Sequence, residues 1–310
     1  KRHCGSESMR CASAAAAKAE RLHSNLFLSR PPSLDTPRTA LVLLNTPPRP
    51  AAALRRLWSL SAFRVCADAA ANRLRDSIQL VMQDEAGVSG GPAALRRRLL
   101  ELQRVAREHE LMVPDVVTGD FDSIREDVLE FYRGRGCRIA HNSSQDSTDF
   151  EKALDIVAEA QNAAGHQPWT VVAFGAFGNR FDHELASTNA LFKFRHEFGR
   201  LILMGERMTA CLLQPGRHRI LPNPLLEGPT CGLLPIGGPV ESISTNGLRW
   251  DLQSDRLAFG SLVSSSNEIL FNQPGNAAEV MVETSDDVVW TTVLQPHGWS
   301  SAEGLSNDRD

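Results

Sequence analysis

Between about residues 39 and 205, short apolar runs alternate with longer amphipathic segments, and this alternation constrains the fold more than any other feature of the chain. The apolar runs lie at 40–44, 63–67, 114–117, 137–140, 170–174 and 201–204. Helix-like segments lie between them at 51–61, 71–82, 93–110, 123–133, 147–163 and 181–197. Strands that alternate with helices are typical of a parallel sheet with helices on its faces. We therefore predict an α/β fold with a doubly wound, mostly parallel sheet over residues 39–206.

The pattern changes after residue 207, where short strand-like runs are separated by turn sequences. These turns are Gln214-Pro215-Gly216, Gly237-Gly238-Pro239, Asn246-Gly247 and Gln273-Pro274-Gly275. Such spacing, with no helical segment, predicts an antiparallel β-sandwich domain over residues 207–296, followed by a polar tail over 297–310. Residues 1–38 contain an alanine run and little periodicity, which predicts a disordered extension or a targeting segment.

The charge of the chain argues against nucleic-acid binding. Its 33 basic and 37 acidic residues give a formal net charge of -4, whereas nucleic-acid-binding domains carry a basic surface. No apolar run approaches the roughly 18 residues of a membrane-spanning helix. The six cysteines are scattered without paired spacing, which favours a reducing compartment. We expect a cytoplasmic protein without nucleic-acid or membrane partners, and organellar targeting by residues 1–38 is the alternative.

Acidic residues follow several of the predicted strands at the point where each strand ends. Asp68 follows one strand, Asp120 and Asp122 follow the next, and Asp146 and Asp149 come after the strand at 137–140. In an open parallel sheet, ligands bind beyond the carboxyl ends of the strands. Carboxylates crowded there repel one another unless a cation such as Mg²⁺ neutralises them. The alternative for each acid is a structural role as a helix cap or as a favourable charge at a helix N-terminus.

A glycine-containing loop follows the strand at 170–174 and leads into the next helix-like segment. It reads Gly175-Ala176-Phe177-Gly178-Asn179-Arg180. Glycines allow backbone amides to approach a phosphate, and arginine offers two parallel donors to its oxygens. Glycine turns between a strand and a helix are common, so this loop by itself does not define a phosphate site.

Seven motifs occur in order along the chain. They are Arg64-Val65-Cys66-Ala67-Asp68 with Ala71-Asn72-Arg73-Leu74, Gly119-Asp120-Phe121-Asp122-Ser123-Ile124, Gln145-Asp146-Ser147-Thr148-Asp149, Gly178-Asn179-Arg180-Phe181-Asp182-His183, Cys231-Gly232-Leu233-Leu234-Pro235-Ile236-Gly237, Gly247-Leu248-Arg249-Trp250-Asp251-Leu252 and Phe259-Gly260-Ser261-Leu262-Val263-Ser264-Ser265-Ser266-Asn267. Over residues 39–294 they resemble the motifs of the thiamine pyrophosphokinase family. The resemblance implies transfer of the diphosphate of ATP to the hydroxyethyl group of thiamine, with release of AMP. It also implies an α/β domain that binds ATP and Mg²⁺, a β-sandwich domain that contributes to the thiamine site, and a homodimer with active sites between the subunits.

The same resemblance implies roles for individual residues. Four aspartates would surround the metal and the reacting hydroxyl, with Asp68 or Asp122 as the general base: Asp68, Asp120, Asp122 and Asp146. Arg180 would complete this catalytic set, and the nucleotide side would consist of Gln145, Thr148, Asp149, Gly178, Arg180 and Asp182. A thiamine-binding wall would be formed by Trp250, Ser265, Ser266 and Asn267, in which the indole stacks on the cationic vitamin. For Trp250, a place in the sandwich core is the alternative.

Three positions depart from the family pattern. Ala69 and Ala70 stand where the family usually has two glycines, and Asn179 replaces the second glycine of the loop. Added methyl groups would crowd a phosphate or change a backbone angle. Two other functions stay open: a noncatalytic thiamine-binding relative, which these departures favour, and a metal-dependent phosphatase or nucleotide-sugar transferase, because acid-x-acid pairs such as that in 120–122 are common at strand ends.

Overall fold

We describe a computed structural model of the chain over residues 20–28, 38–84, 112–165, 167–178, 180–271 and 278–295, together with residue 299. The chain divides into two compact units. One unit is Ser33–Glu206, and the other combines the residues before it with Arg207–Asp310. The division between residues 206 and 207 falls where the sequence pattern changes.

Five α-helices and fifteen strands lie within the described residues. The helices are α1 (Ala51–Leu60), α2 (Ala70–Asp84), α3 (Glu126–Arg133), α4 (Asp149–Ala163) and α5 (Phe181–Lys193). The strands are β1 (Arg21–Ser24), β2 (Thr39–Leu43), β3 (Phe63–Ala67), β4 (Val116–Gly119), β5 (Arg138–His141), β6 (Thr170–Phe174), β7 (Arg200–Met204), β8 (Met208–Leu213), β9 (Gly216–Leu221), β10 (Glu227–Leu234), β11 (Val240–Asn246), β12 (Asp255–Leu257), β13 (Ser264–Glu268), β14 (Val280–Thr284) and β15 (Val288–Leu294). The helix predicted at 93–110 lies outside the described residues. None of the described helices is both long and apolar enough to cross a membrane.

The Ser33–Glu206 unit is built on a parallel sheet with the strand order β7-β6-β2-β3-β4-β5. β2 lies inside this sheet and is buried along its whole length, which is typical of a strand covered on both faces. The chain runs outward from β2 through β3, β4 and β5 and then crosses to β6 on the other side of β2. Ligands bind beside the point where the strand order reverses in this way, at the carboxyl ends of the strands. The predicted doubly wound fold is therefore confirmed.

The other unit is a β-sandwich. One of its sheets has the order β1-β9-β14-β11-β12, and the other contains β13-β10-β15-β8 in that order. The neighbouring strands are antiparallel except for β1 and β9. Apolar side chains of both sheets, such as Leu233, Val240, Ile243 and Trp290, form one buried core. The predicted antiparallel sandwich is therefore confirmed, with one parallel pair that the sequence did not indicate.

The N-terminal segment contains the strand of this parallel pair. β1 pairs with β9 at the edge of the five-stranded sheet, although 195 residues separate His23 from His218. The two imidazoles are buried, with 2.9 Å between His23 Nε2 and His218 Nδ1, and His218 Nε2 donates to the Gln214 carbonyl oxygen at 2.6 Å. A disordered extension would not include this strand, which the sequence did not indicate because its partners lie far away along the chain. The alternative of a targeting segment stays a prediction.

The rest of the predicted extension, at 1–19 and 29–37, lies outside the described residues. The polar tail predicted at 297–310 also lies outside them, except for Trp299. The side chain of Trp299 is buried, so this residue does not fit the description of a polar tail.

A buried carboxylate connects the N-terminal segment to the sandwich. Glu227 accepts hydrogen bonds from Asn25 Nδ2 at 2.9 Å, from Thr292 Oγ1 at 2.8 Å and from the Asn223 backbone N–H at 2.6 Å. Asn223 Nδ2 in turn donates to the Asn25 carbonyl oxygen at 3.1 Å. All four residues are buried, so water cannot replace the carboxylate as the acceptor for these donors.

We predict that Glu227→Ala lowers the free energy of unfolding by about 2–5 kcal/mol, because it leaves three buried donors unpaired. Urea denaturation followed by circular dichroism measures the change. Glu283→Ala is the matched control, since this exposed carboxylate pairs with exposed Arg217, and we expect a loss below about 1 kcal/mol. Equal losses for the two variants would contradict the structural role of the Glu227 network.

Candidate active site

A cavity of about 380 Å³ opens at the carboxyl edge of the parallel sheet, within the Ser33–Glu206 unit. Its lining comes from the segments that follow β2, β3, β4, β5 and β6. Each of these segments contributes a polar residue or a glycine: Thr46, Asp68, Asp120, Gln145 and Gly175. The cavity thus lies where a doubly wound sheet binds its ligands, beside the reversal of strand order between β2 and β6.

Gly119, the last residue of β4, allows the ends of β3 and β4 to approach each other closely. Its φ angle is 154°, and a Cβ atom at this position would lie 2.7 Å from the Cβ of Asp68 and 3.2 Å from Asp149 Oδ1. Any larger residue would therefore displace Asp68. The Asp68 backbone N–H donates to the Thr118 carbonyl oxygen at 2.7 Å, which fixes the two strand ends together. Asp68 itself has a φ of 43°, a left-handed conformation that aspartate tolerates better than most residues.

Three carboxylates meet at this point. Asp68, Asp120 and Asp122 each offer one oxygen, and these oxygens lie within 4.8 Å of one another. Asp120 Oδ2 accepts from Gln145 Nε2 at 3.0 Å, and Asp120 Oδ1 accepts from the Asp122 backbone N–H at 3.3 Å. Asp122 Oδ1 accepts from Ser123 Oγ at 2.6 Å. In contrast, Oδ1 of Asp68 is buried and has no hydrogen-bond partner among the described residues.

The surroundings move the pKa values of two of these acids in opposite directions. Burial, together with the charge of Asp149, raises the pKa of Asp68 from 3.8 to about 6. Hydrogen bonds from the Gln145 amide and the Asp122 backbone N–H lower the pKa of Asp120. Neighbouring carboxyl groups with pKa values pushed apart by their environments are typical of active sites.

The residues of this cluster fit a magnesium ion. Mg²⁺ prefers oxygen ligands and binds through one or two carboxylates together with water and substrate phosphates. A buried, unpartnered carboxylate oxygen such as that of Asp68 is costly unless a cation or donor compensates it. Asp146, the fourth predicted member, does not join the cluster. It is exposed, lies outside the cavity lining, and has a backbone N–H that donates to Ser144 Oγ at 3.2 Å.

Lys152 is a cavity residue that our sequence analysis missed. Its side chain is 2% exposed, and its Nζ lies 3.0 Å from Asp149 Oδ1 and 3.9 Å from Asp120 Oδ2. α4 positions the lysine, because Thr148 caps this helix by accepting from the Glu151 N–H at 3.2 Å. A buried cation near a helix N-terminus is unfavourable unless acids compensate it, as they do here. The spacing of three residues between Asp149 and Lys152, which places them on one helix face, was the available signal.

Gln145, Thr148 and Asp149, which the family resemblance places on the nucleotide side, all line the cavity. Each also has a partner within the protein. The Gln145 amide holds Asp120, the Thr148 hydroxyl oxygen caps α4, and Asp149 pairs with Lys152. The structure therefore places these three residues in the same cavity as the acid cluster, and Gln145 is the one that bonds directly to a cluster acid, Asp120.

The loop after β6 carries the donors predicted for a phosphate. Gly178 has a φ of 100°, and its N–H donates to Glu184 Oε1 at 2.8 Å. Arg180 precedes α5 and hydrogen-bonds to both oxygens of Asp182, with 3.0 Å between Nε and Oδ1. Arg180 lines the cavity, whereas Gly178 and Asp182 do not. Both donors are thus held by carboxylates of the first turn of α5, and a phosphate would have to replace these carboxylates.

The alanines that depart from the family pattern occupy ordinary backbone positions. α2 begins at Ala70, and neither Ala69 nor Ala70 has a positive φ, so their positions do not require glycine. Ala69 lines the cavity, whereas Ala70 is buried. Asn179, the third departure, lies outside the described residues.

Asn267, one of the residues predicted to bind thiamine, has a structural role in the sandwich. Its Oδ1 accepts from the backbone N–H groups of Trp250 at 3.2 Å and Glu268 at 2.8 Å. Its Nδ2 donates to the Trp250 carbonyl oxygen at 2.8 Å and to Ser264 Oγ at 3.4 Å. These bonds use the full capacity of the side-chain amide. Asn267 therefore holds the turn that carries Trp250.

Trp250 itself is accessible to a ligand. Its side chain is 54% exposed, so the alternative of a place in the sandwich core is wrong. The Arg249 guanidinium lies 4.8 Å from the centre of the indole ring and pairs with Glu268 at 2.8 Å. Ser265 and Ser266 are also exposed.

The fold and the cavity define a class of protein: an α/β domain with a cation-compatible cavity for a charged ligand, linked in sequence to a β-sandwich domain with an exposed tryptophan. Two family models match the chain in the same order. The model of the thiamin pyrophosphokinase catalytic domain matches residues 54–203, and that of the thiamin pyrophosphokinase vitamin B1 binding domain matches residues 217–289. The chain belongs to the thiamine pyrophosphokinase family.

Known proteins are similar to the chain over most of its length. It is 35% identical to thiamine pyrophosphokinase 1 of Arabidopsis thaliana over 289 residues. This match covers 90% of this chain and 95% of the relative. It is 33% identical over 285 residues to thiamine pyrophosphokinase 2 of the same plant, covering 89% and 94% of the two chains. The solved structure of thiamin pyrophosphokinase from Candida albicans has a TM-score of 0.69 at 22% identity, covering 89% of this chain and 93% of that one. This structural likeness supports the fold.

The raised pKa of Asp68 predicts that Asp68→Asn stabilises the metal-free protein at high pH. The carboxyl ionises near pH 3.8 when unfolded and near pH 6 when folded, so the folded state binds more protons between these values. The folded state is therefore favoured with Asp68 protonated. This favourable contribution to the free energy of unfolding is fully present below about pH 4 and is lost as the pH rises through 6. We expect Asp68→Asn to raise the free energy of unfolding by about 1–3 kcal/mol at pH 8 and to have a much smaller effect at pH 4.5.

Denaturation in EDTA at the two pH values measures this difference between Asp68→Asn and the wild type. Asparagine tolerates the left-handed φ of this position, so the substitution adds no backbone strain. An effect that is the same at pH 4.5 and pH 8 would contradict the raised pKa.

Proposed function

We propose that this protein is a thiamine diphosphokinase, which transfers the terminal diphosphate of ATP to the hydroxyethyl oxygen of thiamine and releases AMP. The observation that carries the proposal is the cluster of Asp68, Asp120 and Asp122 beside Lys152, in a chain whose two domains both match thiamin pyrophosphokinase models. The similarity to proteins named thiamine pyrophosphokinase extends over about nine-tenths of the chain and supports the same activity.

In the proposed reaction the thiamine hydroxyl oxygen attacks the β-phosphorus of ATP. The bond between this phosphorus and the oxygen that bridges to the α-phosphate breaks, and its electron pair leaves with AMP. Such a transfer needs in-line positioning and stabilisation of charge more than covalent participation by the protein. Lys152 supplies a buried positive charge that is already in place, and Arg180 exchanges Asp182 for phosphate oxygens as the nucleotide binds.

Asp68, Asp120 and Asp122 would hold Mg²⁺, which supplies neutralisation of phosphate charge when it is bound. Gln145 orients Asp120 through its hydrogen bond to Oδ2. Asp68 or Asp122 accepts the proton of the thiamine hydroxyl, and a loose transition state makes this assistance smaller than the charge stabilisation.

For thiamine we propose the exposed face of the Trp250 indole, with Ser265 and Ser266 as hydrogen-bonding partners of the aminopyrimidine. An electron-rich indole face attracts a cationic aromatic ring. Because Arg249 already lies over the indole at 4.8 Å, thiamine would use the opposite face of the ring. Asn267 contributes by holding the Trp250 turn, through hydrogen bonds to both the N–H and the carbonyl oxygen of Trp250.

We further propose a homodimer with active sites at the subunit interface and a cytoplasmic location. The dimer follows from the family resemblance, and two exposed apolar side chains of the sandwich unit, Phe259 and Leu262, are available for a subunit contact. The location follows from the scattered cysteines of the sequence, which favour a reducing compartment.

An assay with thiamine, ATP and Mg²⁺ tests the proposed reaction. We expect thiamine diphosphate and AMP in equal amounts, and neither product after EDTA is added. Asp120→Asn should lower kcat by about 100-fold or more, because it removes a charge from the metal cluster. Asp127→Asn, which changes an exposed carboxylate on α3 that pairs with Arg125, is the matched control and should behave as the wild type.

The products distinguish the alternative functions. Binding of thiamine without either product would favour the noncatalytic relative. Release of inorganic phosphate from ATP in the absence of thiamine, without AMP, would favour a phosphatase.

The buried position of Lys152 leads to a separate prediction for nucleotide binding. Lys152→Met should weaken ATP binding and lower kcat/KM by about 100-fold, because it removes the positive charge that lies inside the cavity. Lys152→Arg, which keeps the charge, should retain part of the activity. Lys193→Met, which removes a half-exposed lysine paired with Glu151, is the control. Calorimetric titration with ATP and steady-state kinetics measure both effects, and a folded Lys152→Met protein with wild-type values would refute the role of this lysine.

A further inference from the structure

The turn that carries Asp120 and Asp122 has a strained backbone. Phe121, between the two acids, has a φ of 64°, a left-handed conformation that bulky side chains rarely adopt. Such a conformation persists only where surrounding contacts impose it. A relaxed φ at Phe121 would turn Asp122 away from Asp120, because rotation about φ moves everything that follows.

The last residue of β5, His141, and the residue that follows it, Asn142, supply contacts that impose this conformation. The Asn142 backbone N–H donates to the Gly119 carbonyl oxygen at 2.8 Å. His141 Nε2 lies 3.1 Å from the Asp120 carbonyl oxygen, and because that oxygen can only accept, Nε2 carries the proton. The His141 ring also packs against the Phe121 ring, with 5.2 Å between the ring centres. One side chain thus contacts both the strained residue and the residue before it.

We propose that His141 is a positioning residue for the metal-binding acids. Through the Asp120 backbone and the Phe121 ring, it keeps the turn in the conformation that brings Asp120 and Asp122 together with Asp68. His141 lies outside both the acid cluster and the cavity lining, so it acts through its neighbours and not by touching the metal or a substrate. The inference rests on the proposed function, because it requires a divalent cation at the acid cluster.

The test measures the affinity of the protein for Mn²⁺, which replaces Mg²⁺ and is visible by electron paramagnetic resonance, without ATP or thiamine. His141→Ala removes both the donor and the ring, and we expect the dissociation constant to rise about 10-fold, as for other groups that orient metal ligands. His141→Gln keeps an N–H donor at similar reach and should recover part of this loss. His196→Ala, which removes an exposed histidine outside the site, should leave the dissociation constant unchanged.

A purely structural role for His141 would lower the melting temperature of metal-free His141→Ala without changing its Mn²⁺ affinity, and this outcome would overturn the proposal. If His141→Ala does not fold, His141→Phe replaces it, and we expect a smaller rise in the dissociation constant that still exceeds about twofold, because this variant keeps the ring contact and lacks the donor. A wild-type protein that binds no Mn²⁺ would overturn the metal site and this inference with it. A Mn²⁺ dissociation constant of His141→Ala within about twofold of the wild-type value would overturn the positioning role alone.

Discussion

The close approach of the ends of β3 and β4 is the constraint on which the rest of the site depends. It requires glycine at position 119, because a Cβ atom there would lie 2.7 Å from the Cβ of Asp68. The approach also buries one Asp68 oxygen that has no hydrogen-bond partner in the part of the chain that the structure describes. The same contact therefore creates the acid cluster and makes it unfavourable without a cation.

Charges of both signs lie close together in the cavity. The carboxylates at the ends of β3 and β4 are acidic, and the buried Lys152 lies 3.9 Å from one of them, Asp120, and 3.0 Å from Asp149 at the start of α4. Either charge alone would repel part of a nucleotide bound to a divalent cation. A cavity with both suits a ligand that brings positive and negative groups together, such as Mg²⁺ with a polyphosphate chain.

The sequence predicted the parts of the site that depend on local pattern. The ends of β3 and β4 were predictable from short apolar runs, and so were the positions of Asp68 and Asp120 beyond them. The start of α4 decided which later acid faces the cavity. The helix was predicted from residue 147 and begins at Asp149. Asp149 lines the cavity, whereas Asp146, which precedes the helix, does not.

Long-range contacts are the features that the sequence could not show. An asparagine in a thiamine-site motif has the same appearance in sequence whether it binds a ligand or a backbone, and only the four bonds of Asn267 show that it holds the Trp250 turn. For β1, the partner strand lies 195 residues away, beyond the reach of any periodicity. This separation also affects the timing of folding. A ribosome adds about 5–20 residues per second, so β1 is made roughly 10–40 seconds before β9 exists to pair with it. All strands of the parallel sheet are synthesised before β9, so β1 remains without its partner while that sheet can already form.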